Sequence, residues 1–248
     1  MKVTRKELYL VGAGVLFPDH LTLQAIEVLG ACDRVYTNLQ PSEFASLPKD
    51  LRVKCESLWP MYRENRDRSS NYRDVAGAVV AAAERGRSVA WMTYGHPLVF
   101  DSVSQELLKA GRDRGWSVSI LPGISSIDTV LAELGYDPAS GLLIHEATSV
   151  VKRKLQLLPG VATLLLQPSA FGTSVAHLNG GWRPDLAPLQ EYLLQFHAPE
   201  HDCAFVRSPQ DESSASQVSW TKLRDLASTP LSALRGSTLF LPAACSRE

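Results

Sequence analysis

The sequence is short of the features that mark several protein classes. Its four cysteines, Cys32, Cys55, Cys203 and Cys245, stand far apart with no CxxC pair, so neither a disulfide framework nor a cysteine zinc site is expected. His145-Glu146 lacks the second histidine of a zincin, and no metal is expected. No apolar run is long enough to span a bilayer. The first residues, Met1 to Lys6, pass straight into a strand pattern and not into a secretory apolar region. Neither sign of charge dominates: 25 Lys and Arg stand against 26 Asp and Glu, a net charge of −1, which gives no electrostatic case for nucleic acid. Lys152-Arg-Lys154 reads as solvated surface. A third glycine is also missing: after Gly12 and Gly14, Phe17 stands where a dinucleotide-binding fingerprint has glycine. The expected home is the cytoplasm, with no membrane and no nucleic acid as partner.

What is present is a chain of 248 residues, 45% of them hydrophobic, enough to bury a core in one large or two smaller domains. Its most informative stretch is Val89 to Phe100. Four apolar residues, Val89 to Met92, read as a buried strand after a turn at Gly86. Gly95 and Pro97 then close it as a loop. Ser102 with Gln105 has the form of a capping box, so a helix should follow with Ser102 as its N-cap. Tyr94-Gly-His-Pro97 thus lies at the carboxyl end of a strand, where open α/β sheets bind ligands. Pro122-Gly-Ile-Ser-Ser126 repeats the arrangement after the strand Ser117 to Leu121. There Ser125 and Asp128 form a second capping box, and a helix start offers free amides to polar ligand groups.

The remaining patterns alternate in the same way. Glu7 to Val11 and Arg34 to Thr37 read as strands, and Leu21 to Ala31 as a helix with one apolar face. Pro41 to Asp50 suggests a short helix and turn, and Leu51 to Val53 a further strand. Trp59 to Tyr72 is polar, basic and aromatic and leads into a helix from about Tyr72 to Arg85. If that helix starts near Ser69, Arg68 and Tyr72 lie four apart on one face. Ala162 to Leu166 is a buried strand ending at Gln167. Thr173 to Pro184 is a loop, Leu186 to Phe196 an amphipathic helix, Asp202 to Val206 a strand, Ser208 to Ser216 a hairpin tip, and Trp220 to Leu226 a short helix. Ser237 to Pro242 is the last strand. The nearest thing to a domain boundary is Gly115 to Gly123, dividing the chain into 1–116 and 117–248.

Leu8-Tyr-Leu-Val-Gly-Ala-Gly14, Tyr94-Gly-His-Pro97 and Pro122-Gly-Ile-Ser125, in this order, resemble the tetrapyrrole methylase superfamily of S-adenosylmethionine (SAM) methyltransferases. The likeness runs through nearly the whole chain. It implies an α/β fold of two α/β domains with a SAM cleft between them. Within that superfamily the chain is most similar to the borosin, or omphalotin-type, peptide-backbone N-methyltransferases. These carry two tyrosines three apart, an arginine six residues later and a tyrosine four after that. Here the spacing gives Trp59, Tyr62, Arg68 and Tyr72, with tryptophan in place of the first tyrosine. Glu146-Ala-Thr148 and Ser237-Thr-Leu-Phe-Leu-Pro242 also match borosin segments. Gly14-Val-Leu-Phe-Pro18 departs from the Gly-Pro-Gly-Asp-Pro of most relatives, which speaks against a corrin substrate.

The resemblance implies a donor site of Tyr94, His96, Val99, Phe100, Ser125, Ser126, Ala147, Gln167, Ser237 and Thr238, binding SAM and releasing S-adenosylhomocysteine. It implies a catalytic group of Tyr62, Arg68 and Tyr72. An amide nitrogen is a poor nucleophile because its lone pair is delocalised. Arg68 is expected to stabilise charge on the carbonyl oxygen, and Tyr72, its pKa lowered by that guanidinium, to take the amide proton, with Tyr62 orienting or sharing the role. The chain ends six residues after Pro242, so the acceptor is expected to be a separate precursor peptide in trans. A homodimer is expected from the family. Two alternatives stay open: a tetrapyrrole, corrin-precursor or other small-molecule acceptor, and a catalytically inactive SAM-binding partner protein, kept in view by Trp59.

Overall fold

The computed structural model describes residues 7–85, 88–210 and 214–244; the turn expected at Gly86 and the thiol of Cys245 lie outside them. The chain forms two compact units. The first runs to Ser126 and takes in Val175–Asn179 and Gln210; the second holds the rest.

The first unit is built on five parallel strands: β1 (Glu7–Gly12), β2 (Arg34–Thr37), β3 (Cys55–Ser57), β4 (Val89–Thr93) and β5 (Ser117–Leu121), in the order β3-β2-β4-β1-β5. Helices α1 (Leu23–Ala31), α2 (Lys49–Arg52), α3 (Arg68–Glu84) and α4 (Ser102–Arg114) connect them. Strand β4 is buried throughout because both faces of the sheet are covered. Val89 and Trp91 pack under α3 and α4 with Val75, Val79 and Leu107. Ala90 and Met92 pack on the other face with Ala25, Leu29 and Leu51. A strand covered on both faces reads as a continuous apolar run, as this one does.

The second unit mixes directions. Strands β6 (Leu142–Glu146) and β7 (Ala162–Leu166) are parallel; β8 (Asp202–Arg207), β9 (Gln217–Lys222) and β10 (Thr238–Leu241) complete a sheet of order β6-β7-β10-β8-β9. Strand β10 enters antiparallel to both neighbours. Helices α6 (Ala147–Lys152), α7 (Ala187–Leu193) and α8 (Leu231–Leu234) lie on the face of Leu165, Phe205 and Leu239, and α5 (Ser126–Leu134) covers Leu164, Ala204 and Phe240 opposite.

Several expectations need correction. The expected boundary at 116/117 would detach β5, but β5 pairs with β1 from Glu7↔Ser117 to Val11↔Leu121, so the first unit extends to Ser126. Leu51 to Val53 is no strand: Leu51 anchors α2 in the core while Val53 is exposed, and β3 starts two residues later. Ser102 does not cap α4. Asp101 does, its Oδ1 accepting from the Val103 amide at 3.0 Å, because a carboxylate outcompetes the hydroxyl beside it for the helix-start amide. Helix α3 starts at Arg68, capped by Asp67 on the Ser70 amide at 3.1 Å, a turn earlier than Tyr72. Trp220 lies in β9, where Val218 and Trp220 alternate with polar residues, and Leu223 and Leu226 belong to the 3-10 turn that follows.

Candidate active site

In a parallel sheet every strand leaves by the same edge, and the first unit gathers its loops there. Gly12, Gly95 and Gly123, at the ends of β1, β4 and β5, pack backbone against backbone. A Cβ on Gly123 would lie 2.4 Å from the Gly95 carbonyl oxygen, and one on Gly12 2.5 Å from the Gly123 nitrogen. Gly14 and Gly95 exchange hydrogen bonds across this junction, with Gly14 N at 3.1 Å from Gly95 O and Gly95 N at 2.9 Å from Gly14 O.

From there the β4 loop turns outward. Its Gly95 has φ +70° with no atom within 4 Å of where a Cβ would stand. His96 is bound into the loop: its Nδ1 accepts from the Leu98 amide and its carbonyl from the Val99 amide, both at 3.0 Å. Leu98 and Phe100 are 44% and 46% exposed, and Phe100 has φ 55°, a strained value for a bulky residue. Tyr94 is half-buried and its phenol is pushed up to about 12, first by burial and then by Glu43, against a hydrogen bond with Gln210. Buried Ser125 and half-buried Ser126 follow β5, one strand beyond β1. So the residues of this unit expected to hold the donor lie on one sheet edge.

The expected catalytic group is built in the same unit. A 3-10 turn, Trp59–Met61, leads into Tyr62. Trp59 and Tyr62 ring centroids are 5.4 Å apart, and Tyr62 meets Tyr72 edge to face at 6.2 Å. Both tyrosines pack against the Trp91 core. Arg68 is the first residue of α3, one turn before Tyr72. Arg68 does pull the Tyr72 phenol down, but burial outweighs it, and Asp101 and Asp67 add to the rise, so the net shift is upward. The expectation of a lowered Tyr72 pKa is therefore wrong in sign. Tyr62 is raised still more, by burial, then by Asp101 and Tyr72.

Sequence reasoning missed what holds this segment. Buried Asn71 accepts from the Arg63 amide at 3.2 Å and donates to its carbonyl at 3.1 Å. Residues 175–179 strap across it: Asn65 N donates to Ala176 O at 2.9 Å, Ala176 N to Arg66 O at 2.7 Å, and Glu64 accepts from the Leu178 and Asn179 amides. Asparagine at φ 56° in Asn65 is the residual local signal, since asparagine tolerates that region.

On the second unit, register places the remaining residues on one edge. Glu146 is level with Leu166, Leu239 with Leu165, and Thr238 with Val206, so Ala147, Gln167, Ser237 and Thr238 fall together with the end of β8. Glu146 caps α6 through the Thr148 and Ser149 amides at 3.0 and 2.7 Å. Ala147 is fully buried in the core, so its side chain packs. Gln167 is exposed at φ 59°. Ser237 donates its hydroxyl to the Leu234 carbonyl at 2.8 Å, a local tie. Ser208, just past β8, has a buried Oγ with no partner among the described residues, which costs about 1–3 kcal/mol unless a ligand satisfies it. A ligand rich in hydroxyl and amine groups, as SAM is, suits this orphaned hydroxyl.

Among the described residues no group of three or more His, Cys, Asp or Glu could hold a metal, and no helix is long and apolar enough to cross a membrane. The no-metal expectation passed over His197-Ala-Pro-Glu-His201, two histidines four apart. Their rings lie 4.5 Å apart, tilted by 31°.

Compared with known families, the chain matches the model of the Tetrapyrrole (Corrin/Porphyrin) Methylases over residues 7–221. The chain belongs to the tetrapyrrole methylase family. That family consists of SAM-dependent methyltransferases. The chain is 27% identical over 241 residues to a protein of Anomoporia bombycina named methyltransferase/ribosomally synthesized type III borosin cyclic peptide precursor, covering 95% of this chain and 28% of that protein. It is 28% identical over 239 residues to a type II borosin precursor of the same description from Phlebiopsis gigantea, covering 95% and 42%. It thus spans less than half the length of these relatives. Among solved structures, the uroporphyrin-III-C-methyltransferase of Thermus thermophilus superposes with a TM-score of 0.64 at 22% identity, covering 96% of this chain and 93% of that one. A diphthine synthase does so at 0.62 and 17%, covering 96% and 90%. At these identities the structures share the fold.

Proposed function

We propose that this methylase transfers methyl groups from SAM to backbone amide nitrogens of a peptide. The observation that carries the reading is the ring chain Trp59–Tyr62–Tyr72, its two tyrosines packed on one core of the first unit, with Arg68 one helical turn before Tyr72. The printed names of its relatives, which join methyltransferase to cyclic peptide precursor, add support. Delivery of the peptide as a separate chain, pairing of two copies and a cytoplasmic home belong to the same reading.

The residues proposed to hold SAM are Tyr94, His96, Val99, Phe100, Ser125 and Ser126 on the first unit, and Ala147, Gln167, Ser237 and Thr238 on the second. Aromatic faces such as Tyr94 and Phe100 favour a cation. When bound, SAM supplies a methyl group activated by its positive sulfur. The chain's own task is to make the amide nitrogen reactive and hold it in line, and most of the rate can come from that positioning. Arg68 binds the peptide carbonyl oxygen and stabilises the negative charge that grows there as the amide approaches its imidate form. Tyr72, as phenolate, takes the amide proton. Tyr62 packs edge to face on Tyr72 and orients it.

Because burial holds the Tyr72 phenol above its ordinary value of 10.0, only a small fraction is phenolate at neutral pH. The rate of methyl transfer should therefore climb about tenfold per pH unit through the neutral range. Tyr72→Phe should lower kcat by roughly 10² to 10⁴-fold while SAM still binds in calorimetry. A flat pH profile, or full activity in Tyr72→Phe, would overturn the proton-transfer role. SAM binding without turnover on any peptide would favour an inactive partner protein instead.

A further inference from the structure

Asp101 stands at the junction of three features and was singled out by neither the sequence nor the resemblance. Its carboxylate accepts three hydrogen bonds: from Trp91 Nε1 at 3.0 Å, from Ser104 Oγ at 2.6 Å and from the Val103 amide at 3.0 Å. Trp91 and Ser104 are both fully buried. A helix cap needs only the third of these. The first reaches into the core against which Tyr62 and Tyr72 pack. On its other side Asp101 follows Phe100, the exposed ring at φ 55° that ends the β4 loop. Strain of that kind persists where neighbouring bonds over-determine the backbone, and the three bonds of Asp101 supply them.

Resting on the proposed roles of Tyr62 and Tyr72, we propose that Asp101 is a positioning residue of the methyl-transfer site. It locks Phe100 of the β4 loop to the tyrosine core through Trp91 and sets a fixed negative charge beside both phenols. The charges facing these tyrosines agree with that role. Asp101 and Tyr72 act on Tyr62; Arg68, Asp101 and Asp67 act on Tyr72, and of these only Arg68 favours the phenolate. Asp101 is the one group that acts on both. It adds to the burial that keeps both phenols protonated, and Arg68 works against it at Tyr72 alone.

The test compares Asp101→Asn and Asp101→Glu with the parent protein. Tyrosine ionisation is followed by ultraviolet absorbance in the protein alone, and methyl transfer to an added peptide as a function of pH. Asp101→Asn should move the tyrosine titration and the rising limb of the rate to lower pH by about half a unit or more. Its limiting rate should fall on the order of tenfold, because Phe100 and the tyrosines lose their common anchor. Asp101→Glu, which restores the charge, should return the titration toward the parent. In a Tyr62→Phe/Tyr72→Phe background the Asn substitution should move nothing. An Asp101→Asn protein with unmoved titration and unmoved pH profile, differing only in melting temperature, would reduce Asp101 to a helix cap. The titration needs neither SAM nor peptide, so it judges Asp101 even if peptide methylation fails. A fully active Tyr72→Phe would instead overturn the function on which the proposal rests.

Discussion

In the first sheet all five strands run parallel and leave by one edge; in the second, β10 enters between β7 and β8 against the direction of both. The first arrangement concentrates loops at strand ends, and the chain places there a close-packed glycine junction, the outward-turning β4 loop and, on the adjoining core, the tyrosines and Arg68. The second arrangement brings the start of a strand to the edge where β6, β7 and β8 end, so Ser237 and Thr238 stand beside Gln167 without any long loop. On the proposed reading the acceptor chemistry falls to the parallel unit alone, while both units hold SAM. Groups able to move protons and stabilise charge sit on the parallel unit. The mixed unit offers hydrogen-bonding groups, among them the orphaned hydroxyl of Ser208, suited to gripping a polar ligand.

The strongest way to break this division is Arg68→Ala. It should cut kcat by roughly 10² to 10³-fold with little change in SAM affinity, as loss of a charge-stabilising donor does elsewhere; single-turnover kinetics and calorimetry check it. Next comes Gly123→Ala, which drives a methyl group into the backbone of Gly95 and Gly12 and should cost about 1–3 kcal/mol or more. Gly160→Ala, on the other unit with nothing within 4 Å, should stay within about 0.5 kcal/mol. Denaturant melts of the two variants compare the junction directly with an open site.

The mixed unit has its own pH signature. His197 is 5% exposed with neither ring nitrogen bonded among the described residues, and burial, then His201, lower its pKa from 6.5 to about 4. The folded protein keeps it neutral where the unfolded chain protonates it. Its contribution is thus full above about pH 6.5 and lost as pH falls towards 4, by up to roughly 3 kcal/mol. His197→Gln should flatten that acid limb in stability measurements. The smallest expected effect is at Gln167. Gln167→Asn keeps a residue that tolerates positive φ but shortens its reach; SAM affinity should weaken a few-fold, by about one lost hydrogen bond, with kcat unchanged. A drop in kcat to match Arg68→Ala would erase the division of tasks.

What the sequence disclosed follows the same contrast. The buried run Val89 to Met92 and the turns at Gly95 and Gly123 were legible because parallel strands covered on both faces leave an unbroken apolar signature. In the mixed unit the alternation of Val218 and Trp220 was hidden by Leu223 and Leu226, whose spacing imitates a helix. Short elements misled elsewhere: Leu51 and Val53 alternate like a strand, yet one is core and the other solvent-exposed. The resemblance to the borosin pattern named Tyr62 and Tyr72, and the structure brings their rings together. It gave no hint that burial would outweigh the guanidinium at Tyr72, nor that Asn71 ties the segment to Arg63, that Glu64 ties it to residues 178 and 179, or that Asp101 reaches its core from outside. Hydrogen bonds between residues 114 or 115 positions apart, such as those of Glu64, leave no local pattern to read.

The most direct measurement is tandem mass spectrometry of peptides encoded beside this gene, after incubation with the purified protein and isotopically labelled SAM. The account predicts label on backbone amide nitrogens, formed by the parent protein and lost in Arg68→Ala. Label on side chains alone, label on a tetrapyrrole in place of peptide, or undiminished labelling by Arg68→Ala would contradict it.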